Sequence, residues 1–197
     1  MSLQRRKCVP TRHPTLSNQL SGNGRPTGSL IDLLVQQAGI GEMRMLAPAL
    51  KTVANRRVVL LQPPHPPQTI SLSHLGLAPS QVLWVKSGKF PNALWAAEQV
   101  LRSGSCGALL FWAPHVRPES LRRLHLAAQA GETSFFVLRP LAAAHDVSPA
   151  PLRLILRAAV GGIDIGFIKR RRPQRDEPLF LALDGPGNAA VRPHTPV

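Results

Sequence analysis

The stretch Ser29–Leu50 of this 197-residue chain reads SLIDLLVQQAGIGEMRMLAPAL. It opens with a mostly apolar run over residues 30–35, turns through Gly39-Ile40-Gly41, and continues with apolar residues three and four positions apart. The run predicts a strand, and the spacing predicts a helix with one apolar face. That face would carry Met43, Leu46, Ala47 and Leu50. Strand, glycine turn and helix follow one another as in a phosphate-binding loop, where backbone N–H groups hold an anion.

The side chains that a nucleotide-binding loop needs are missing from this stretch. If G-x-x-x-x-G-K-[ST] is aligned with its second glycine at Gly41, Gln36 takes the place of the first glycine. Glu42 then stands for the lysine, and Met43 for the hydroxyl residue that holds Mg²⁺. A carboxylate repels phosphate, and a thioether is a poor Mg²⁺ ligand. The sequence therefore predicts a degenerate phosphate loop, made of Gly39, Gly41, Glu42 and Met43, that keeps its shape without hydrolysing nucleotide.

The rest of the chain alternates short apolar runs with helical patterns. Unbroken runs such as Val58–Leu61 are typical of strands buried on both faces of a parallel sheet. From Leu152 the apolar period changes to two, and the Gly161-Gly162 turn divides two alternating runs, which predicts an antiparallel hairpin. The predicted fold is α/β, with a mostly parallel sheet flanked by helices and a C-terminal antiparallel hairpin. We place a flexible basic arm that docks on the domain at 1–28, the domain at 29–169 and a flexible, basic, proline-rich tail at 170–197.

Net charge is the strongest compositional signal, at +14. The arm carries five basic residues and no acid, and the predicted hairpin ends in Lys169, Arg170, Arg171 and Arg172. Basic ends beyond a more balanced core favour a polyanionic partner such as DNA or RNA. Together with Arg122 and Arg123 on a predicted helix, these four are our candidate nucleic-acid or partner contacts. The apolar island Leu179, Phe180, Leu181 and Leu183 is a candidate docking peptide, or it packs back on the domain.

The sequence offers little for catalysis or metal binding. No Asp or Glu occurs between Glu42 and Glu98, and the strand ending at Trp112 continues without the acid that would hold a metal ion. The histidines are scattered, and Cys106 lies in an apolar run that suits a small core residue. We predict a protein that is not an enzyme, without cofactor or metal, and without residual ATPase activity.

Location is predicted from what the sequence lacks. No apolar run approaches the roughly 20 residues needed to cross a bilayer, and basic residues near the start are followed by no apolar segment of a secretory signal. Two distant cysteines, Cys8 and Cys106, suggest reduced thiols. We expect a cytoplasmic protein without membrane association, with the nucleoid as a candidate location.

Several motifs resemble a known family. The arm HPTLSNQLSGNGRPTGSLIDLL resembles the segment that leads RecA-type recombinases into their phosphate loop. A closer likeness is to ImuA, the RecA-like accessory protein of bacterial mutagenic translesion synthesis. It is carried by GIGEMRMLAPAL at 39–50, ALWAAEQVLRSGSCGALLFW at 93–112, LRRLHLAAQAG at 121–131, FFVLRP at 135–140 and GGIDIGFIKRR at 161–171. The SulA cell-division inhibitors, which share a nucleotide-free RecA-like core, resemble residues 30–140 more loosely.

The ImuA resemblance implies a RecA-like core and an adaptor in SOS-induced DNA repair and error-prone translesion synthesis. Its partners would be an ImuB-type inactive Y-family polymerase and the associated error-prone polymerase, with RecA and DNA as further candidates. The family's phosphate loop is degenerate too, as it is here. The alternative is a SulA-type inhibitor that binds the tubulin-like GTPase FtsZ.

Overall fold

The structure, a computed structural model, describes residues 8–20, 24–173 and 176–183. Its strands are β1 (Cys8–Pro10), β2 (Gly24–Pro26), β3 (Ser29–Val35), β4 (Arg57–Leu61), β5 (Val82–Val85), β6 (Cys106–Trp112), β7 (Ser134–Pro140), β8 (Leu152–Ala159), β9 (Gly162–Lys169) and β10 (Leu179–Ala182). Its α-helices are α1 (Pro14–Ser17), α2 (Glu42–Val53), α3 (Thr69–His74), α4 (Phe90–Ser103) and α5 (Pro118–Gln129), and short 3-10 turns cover Pro79–Gln81 and Leu141–His145.

Eight strands form one sheet in the order β10-β9-β8-β3-β7-β6-β4-β5. Neighbours from β8 to β5 run parallel, whereas β8-β9 and β9-β10 are antiparallel. The two N-terminal strands, β1 and β2, form a separate antiparallel pair. The predicted α/β fold, with a mostly parallel sheet and a C-terminal antiparallel hairpin, is confirmed.

Helices cover both faces of this sheet because alternate strand residues point in opposite directions. Along β3, Ile31 and Leu33 pack with α2 residues such as Leu46 in one core. Leu30 faces the other side and packs with α4 and α5 through residues such as Leu124. The central strands are therefore buried on both sides, which explains why their sequences are almost wholly apolar.

Glycine ends one of the long helices and proline begins another. Gly104, in the left-handed region at φ +60°, ends α4, and Pro118 opens α5 as its first residue. Within α2 the buried stripe differs from the prediction, because Met45 is buried whereas Met43 is only half-buried. Among the described residues, no helix is long and apolar enough to span a bilayer.

The N-terminal segment and the C-terminal island both join the domain. Leu16 of α1 and Leu20 are buried in the core on the α2 side of the sheet. The island becomes β10, paired with β9 along Leu179–Ala182. The boundary predicted at residue 169 therefore needs correction, since the sheet continues through β10. An apolar strand of this length gains its stability from pairing and burial on an existing sheet.

Candidate functional site

The predicted phosphate loop lies between β3 and α2, at the centre of the sheet. The Gln36 N–H donates to Leu156 O at 3.0 Å, and its Oε1 accepts from the Ala158 N–H at 3.2 Å. The residue in the place of the first glycine therefore fastens the end of β3 to β8. Gly41, at φ +119°, is the residue before the first turn of α2 and has a backbone conformation that side chains disfavour.

Glu42 folds back into this loop. Its Oε1 accepts from the Gly39 N–H at 2.9 Å, and its Oε2 lies 3.1 Å from the same nitrogen. Oε2 also accepts from the Gly41 N–H at 3.2 Å. The side chain is almost fully buried although it is a carboxylate. Because these N–H groups and the start of α2 favour an anion, Glu42 supplies one from within the chain.

The C-terminal strand closes over the same loop. A Cβ added at Gly41 would lie 2.4 Å from Cδ1 of Leu183 and 3.4 Å from Cγ2 of Ile163. Leu183 is fixed by its N–H, which donates to Gly161 O at 3.1 Å. The predicted docking peptide therefore forms a strand of the sheet, and Leu183 at its end covers Gly41. This contact joins residues far apart in sequence, and sequence patterns gave no sign of it.

Apolar side chains stand at the two positions where a nucleotide enzyme would hold Mg²⁺. Met43 and Trp112 are half-buried against the core on the α2 side, and Trp112 Nε1 has no partner among the described residues.

Burial raises the pKa of the Cys106 thiol, so it stays protonated and unreactive at neutral pH. In the described part of the chain, no group of three or more His, Cys, Asp or Glu side chains could hold a metal ion.

The four basic residues at the end of the hairpin, 169–172, differ in their contacts. Lys169 and Arg171 are exposed to solvent. Arg170 instead donates from Nη1 to Gln19 O at 3.1 Å and stacks over the Phe167 ring at 4.7 Å. Arg172 donates from Nη1 to Asn18 O at 3.0 Å. Arg170 and Arg172 thus hold the segment that follows α1, although Arg172 is itself exposed.

Replacing Arg170 with alanine is expected to lower the free energy of unfolding by about 1–2 kcal/mol, since it removes a hydrogen bond to a charged group and a cation–π contact. Arg171→Ala is the matched control, and we expect a change within about 0.5 kcal/mol because that side chain is exposed. Urea unfolding of both variants measures the difference. Equal effects would show that Arg170 does not anchor the N-terminal segment.

Arg122 and Arg123 lie on the exposed side of α5. Arg123 donates from Nε to Glu98 Oε2 at 2.9 Å and so bridges α5 to α4. Arg122 lines a groove between α5 and the segment 147–149. The structure thus separates the predicted partner contacts into two surfaces, this groove and the hairpin end.

Comparison with known proteins gives a similarity in sequence to a cell division inhibitor. No protein-family model matches the chain. The cell division inhibitor SulA of Edwardsiella piscicida is 33% identical over 76 residues, which are 39% of this chain and 45% of that protein. The match thus spans less than half the length of this relative. Part of the chain is therefore similar to SulA, which the sequence motifs resemble more loosely than they resemble ImuA. The ImuA resemblance stays a prediction.

Among solved structures, SulA from Pseudomonas aeruginosa superposes on this chain with a TM-score of 0.47. The sequence identity of the two is 22%, and the superposition covers 56% of this chain and 97% of that one.

Proposed function

We propose that this protein is a non-catalytic binding module of the bacterial DNA-damage response, which acts by holding another protein. The observation that carries the proposal is the Glu42 carboxylate, which occupies the Gly39 and Gly41 N–H groups that a bound phosphate would need. A nucleotide would have to displace this covalently attached anion and the leucine that covers Gly41. The scaffold is then a RecA-like core whose nucleotide pocket has been filled.

The partner that the sequence similarity favours is FtsZ. The matched relative is a cell division inhibitor, and a SulA-type protein would bind FtsZ and block its polymerisation. The similarity covers 39% of this chain, and we propose the same kind of partner for it.

A second candidate is an ImuA-type adaptor in error-prone translesion synthesis, holding an ImuB-type inactive polymerase and associating with RecA. One observation favours it. The β8–β9 hairpin, which carries the GGIDIGFIKRR motif, is an integral part of the sheet and presents Lys169 and Arg171 to solvent. Any contact with DNA through these two cations would weaken steeply with salt.

One pair of measurements separates these candidates. If FtsZ is the partner, the purified full chain will lower light scattering by FtsZ polymerising with GTP, and its overproduction will make cells filament. If the adaptor role is right, the chain will leave FtsZ unaffected, and tagged protein will recover polymerase components from damage-treated cells. Mg²⁺-dependent ATP turnover clearly above a buffer blank would refute the non-catalytic proposal under either candidate.

A further inference from the structure

The groove on α5 has a chemistry of its own, separate from the sealed loop. One wall is the outer stripe of α5, and the other is the segment after the 3-10 turn at 141–145. It is lined by Pro118, Glu119, Arg122, Arg123, Leu126, Val147, Ser148 and Pro149. Leu126 is 59% exposed and Val147 is 75% exposed. Single exposed apolar residues are common, but these two line the same groove.

Both walls are fixed by their buried neighbours. On α5, Leu121 and Leu124 are fully buried, so the stripe of Arg122 and Leu126 must point outward. On the other wall, Asp146 Oδ2 accepts from Arg139 Nη1 at 3.1 Å, and Ala150 is fully buried. The backbone that carries the exposed leucine and valine is therefore held in place before any partner arrives, which lowers the entropy cost of binding.

Charge in the groove favours an acidic partner. None of the hydrogen bonds and ion pairs found among the described residues occupies the Arg122 guanidinium, whose planar fork suits a carboxylate. The chain as a whole carries +14, which attracts an acidic partner at long range. The exposed side chains of Leu126 and Val147 would contribute nothing to binding a phosphate backbone, so the groove suits a peptide with an apolar side chain better than a nucleic acid.

We propose that this groove binds an acidic peptide segment of a partner protein, with an apolar side chain between Leu126 and Val147 and a carboxylate on Arg122. The inference rests on the proposed protein-binding role and adds the chemistry of the segment that is bound. It makes Leu126 the apolar anchor site and Arg122 the charge that selects the peptide.

The test uses the full chain and a fluorescent peptide of Glu, Asp, Leu and Phe, followed by anisotropy. Arg122→Glu and Leu126→Asp are each expected to weaken binding about tenfold or more, as for central residues of an interface. The matched controls are Lys86→Glu, which makes the same change in charge at an exposed residue, and Val160→Asp, at a turn residue that is 85% exposed. We expect both controls to bind within about twofold of the unmodified chain.

Equal losses in the controls and the groove variants, or no peptide binding at all, would overturn the inference. So would an oligonucleotide that binds the groove while the peptide does not. Thermal melts of each variant confirm that it is folded. The double variant Arg122→Glu, Leu126→Asp separates this inference from the proposed function. If it recovers FtsZ or polymerase components as well as the unmodified chain does, the groove is not the binding site, and the proposed function still holds.

Discussion

Replacing Asp32 with alanine is expected to lower the free energy of unfolding by about 3–5 kcal/mol, because it leaves buried guanidinium groups without their counter-ion. Asp32 is fully buried in the middle of β3. Its Oδ1 accepts from Arg139 Nε at 3.0 Å, and its Oδ2 accepts from Arg139 Nη2 at 2.7 Å and Arg153 Nε at 3.0 Å. Because domains are stable by only about 5–15 kcal/mol, this one change would remove a large share.

Asp146 provides a matched control for this prediction. It pairs with the same Arg139, but its side chain is 52% exposed, so water screens the ion pair. Asp146→Ala is therefore expected to cost about 1 kcal/mol or less. Urea unfolding with circular dichroism measures both variants. Similar costs for the two would mean that burial is not what makes Asp32 important.

A second variant separates lost charge pairing from lost packing. Replacing Asp32, Arg139 and Arg153 together with apolar residues of similar size removes every buried charge of the cluster. Such a triple variant is expected to be more stable than Asp32→Ala, since burying an ion pair costs desolvation that apolar residues avoid. A triple variant less stable than the single one would assign the loss to packing instead.

The Asp32 cluster also shows what local sequence patterns leave out. The run SLIDLLV predicts a buried strand, and the strand forms, but its one charged residue has partners 107 and 121 positions away. Only the strand order β7-β3-β8 brings them together. A single acid in an apolar strand, with an arginine at the end of another strand, is the signal that points to such a cluster.

The strands and long helices were predictable because they depend on the spacing of apolar residues and on glycine and proline residues that end an element locally. Runs such as Val58–Leu61, the stop at Gly104 and the Gly161-Gly162 turn all act within a few residues. The covering of Gly41 by Leu183 was not predictable, because it needs β10 to return across the sheet edge. The turn at residues 39–42 was predictable in part, since the sequence shows Glu42 where a phosphate loop has its lysine, and only the structure shows that the Glu42 carboxylate accepts from the Gly39 and Gly41 N–H groups.

Replacing Glu42 with alanine is expected to destabilise the fold by about 1.5–3 kcal/mol, as for hydrogen bonds to a charged group. The Gly39 and Gly41 N–H groups would lose their acceptor, and α2 would lose the negative charge in its first turn. These groups can accept a free anion instead. Inorganic phosphate at about ten times its dissociation constant would return about 1.4 kcal/mol, and each kcal/mol raises Tm by about 2–4 °C in a domain of this size.

Glu119→Ala is the matched control, since Glu119 is also an acid in the first turn of a helix, but it is exposed. The Glu119→Ala variant should lose little stability. Phosphate should stabilise it no more than sodium chloride does at equal ionic strength. Thermal melts of the three proteins across a phosphate series give the answer directly. The unmodified chain should not respond, because its own carboxylate already holds these N–H groups. If phosphate or Mg²⁺-ATP stabilises the unmodified chain as much as it does Glu42→Ala, the loop is open to outside anions, and the filled-pocket basis of the proposed function fails.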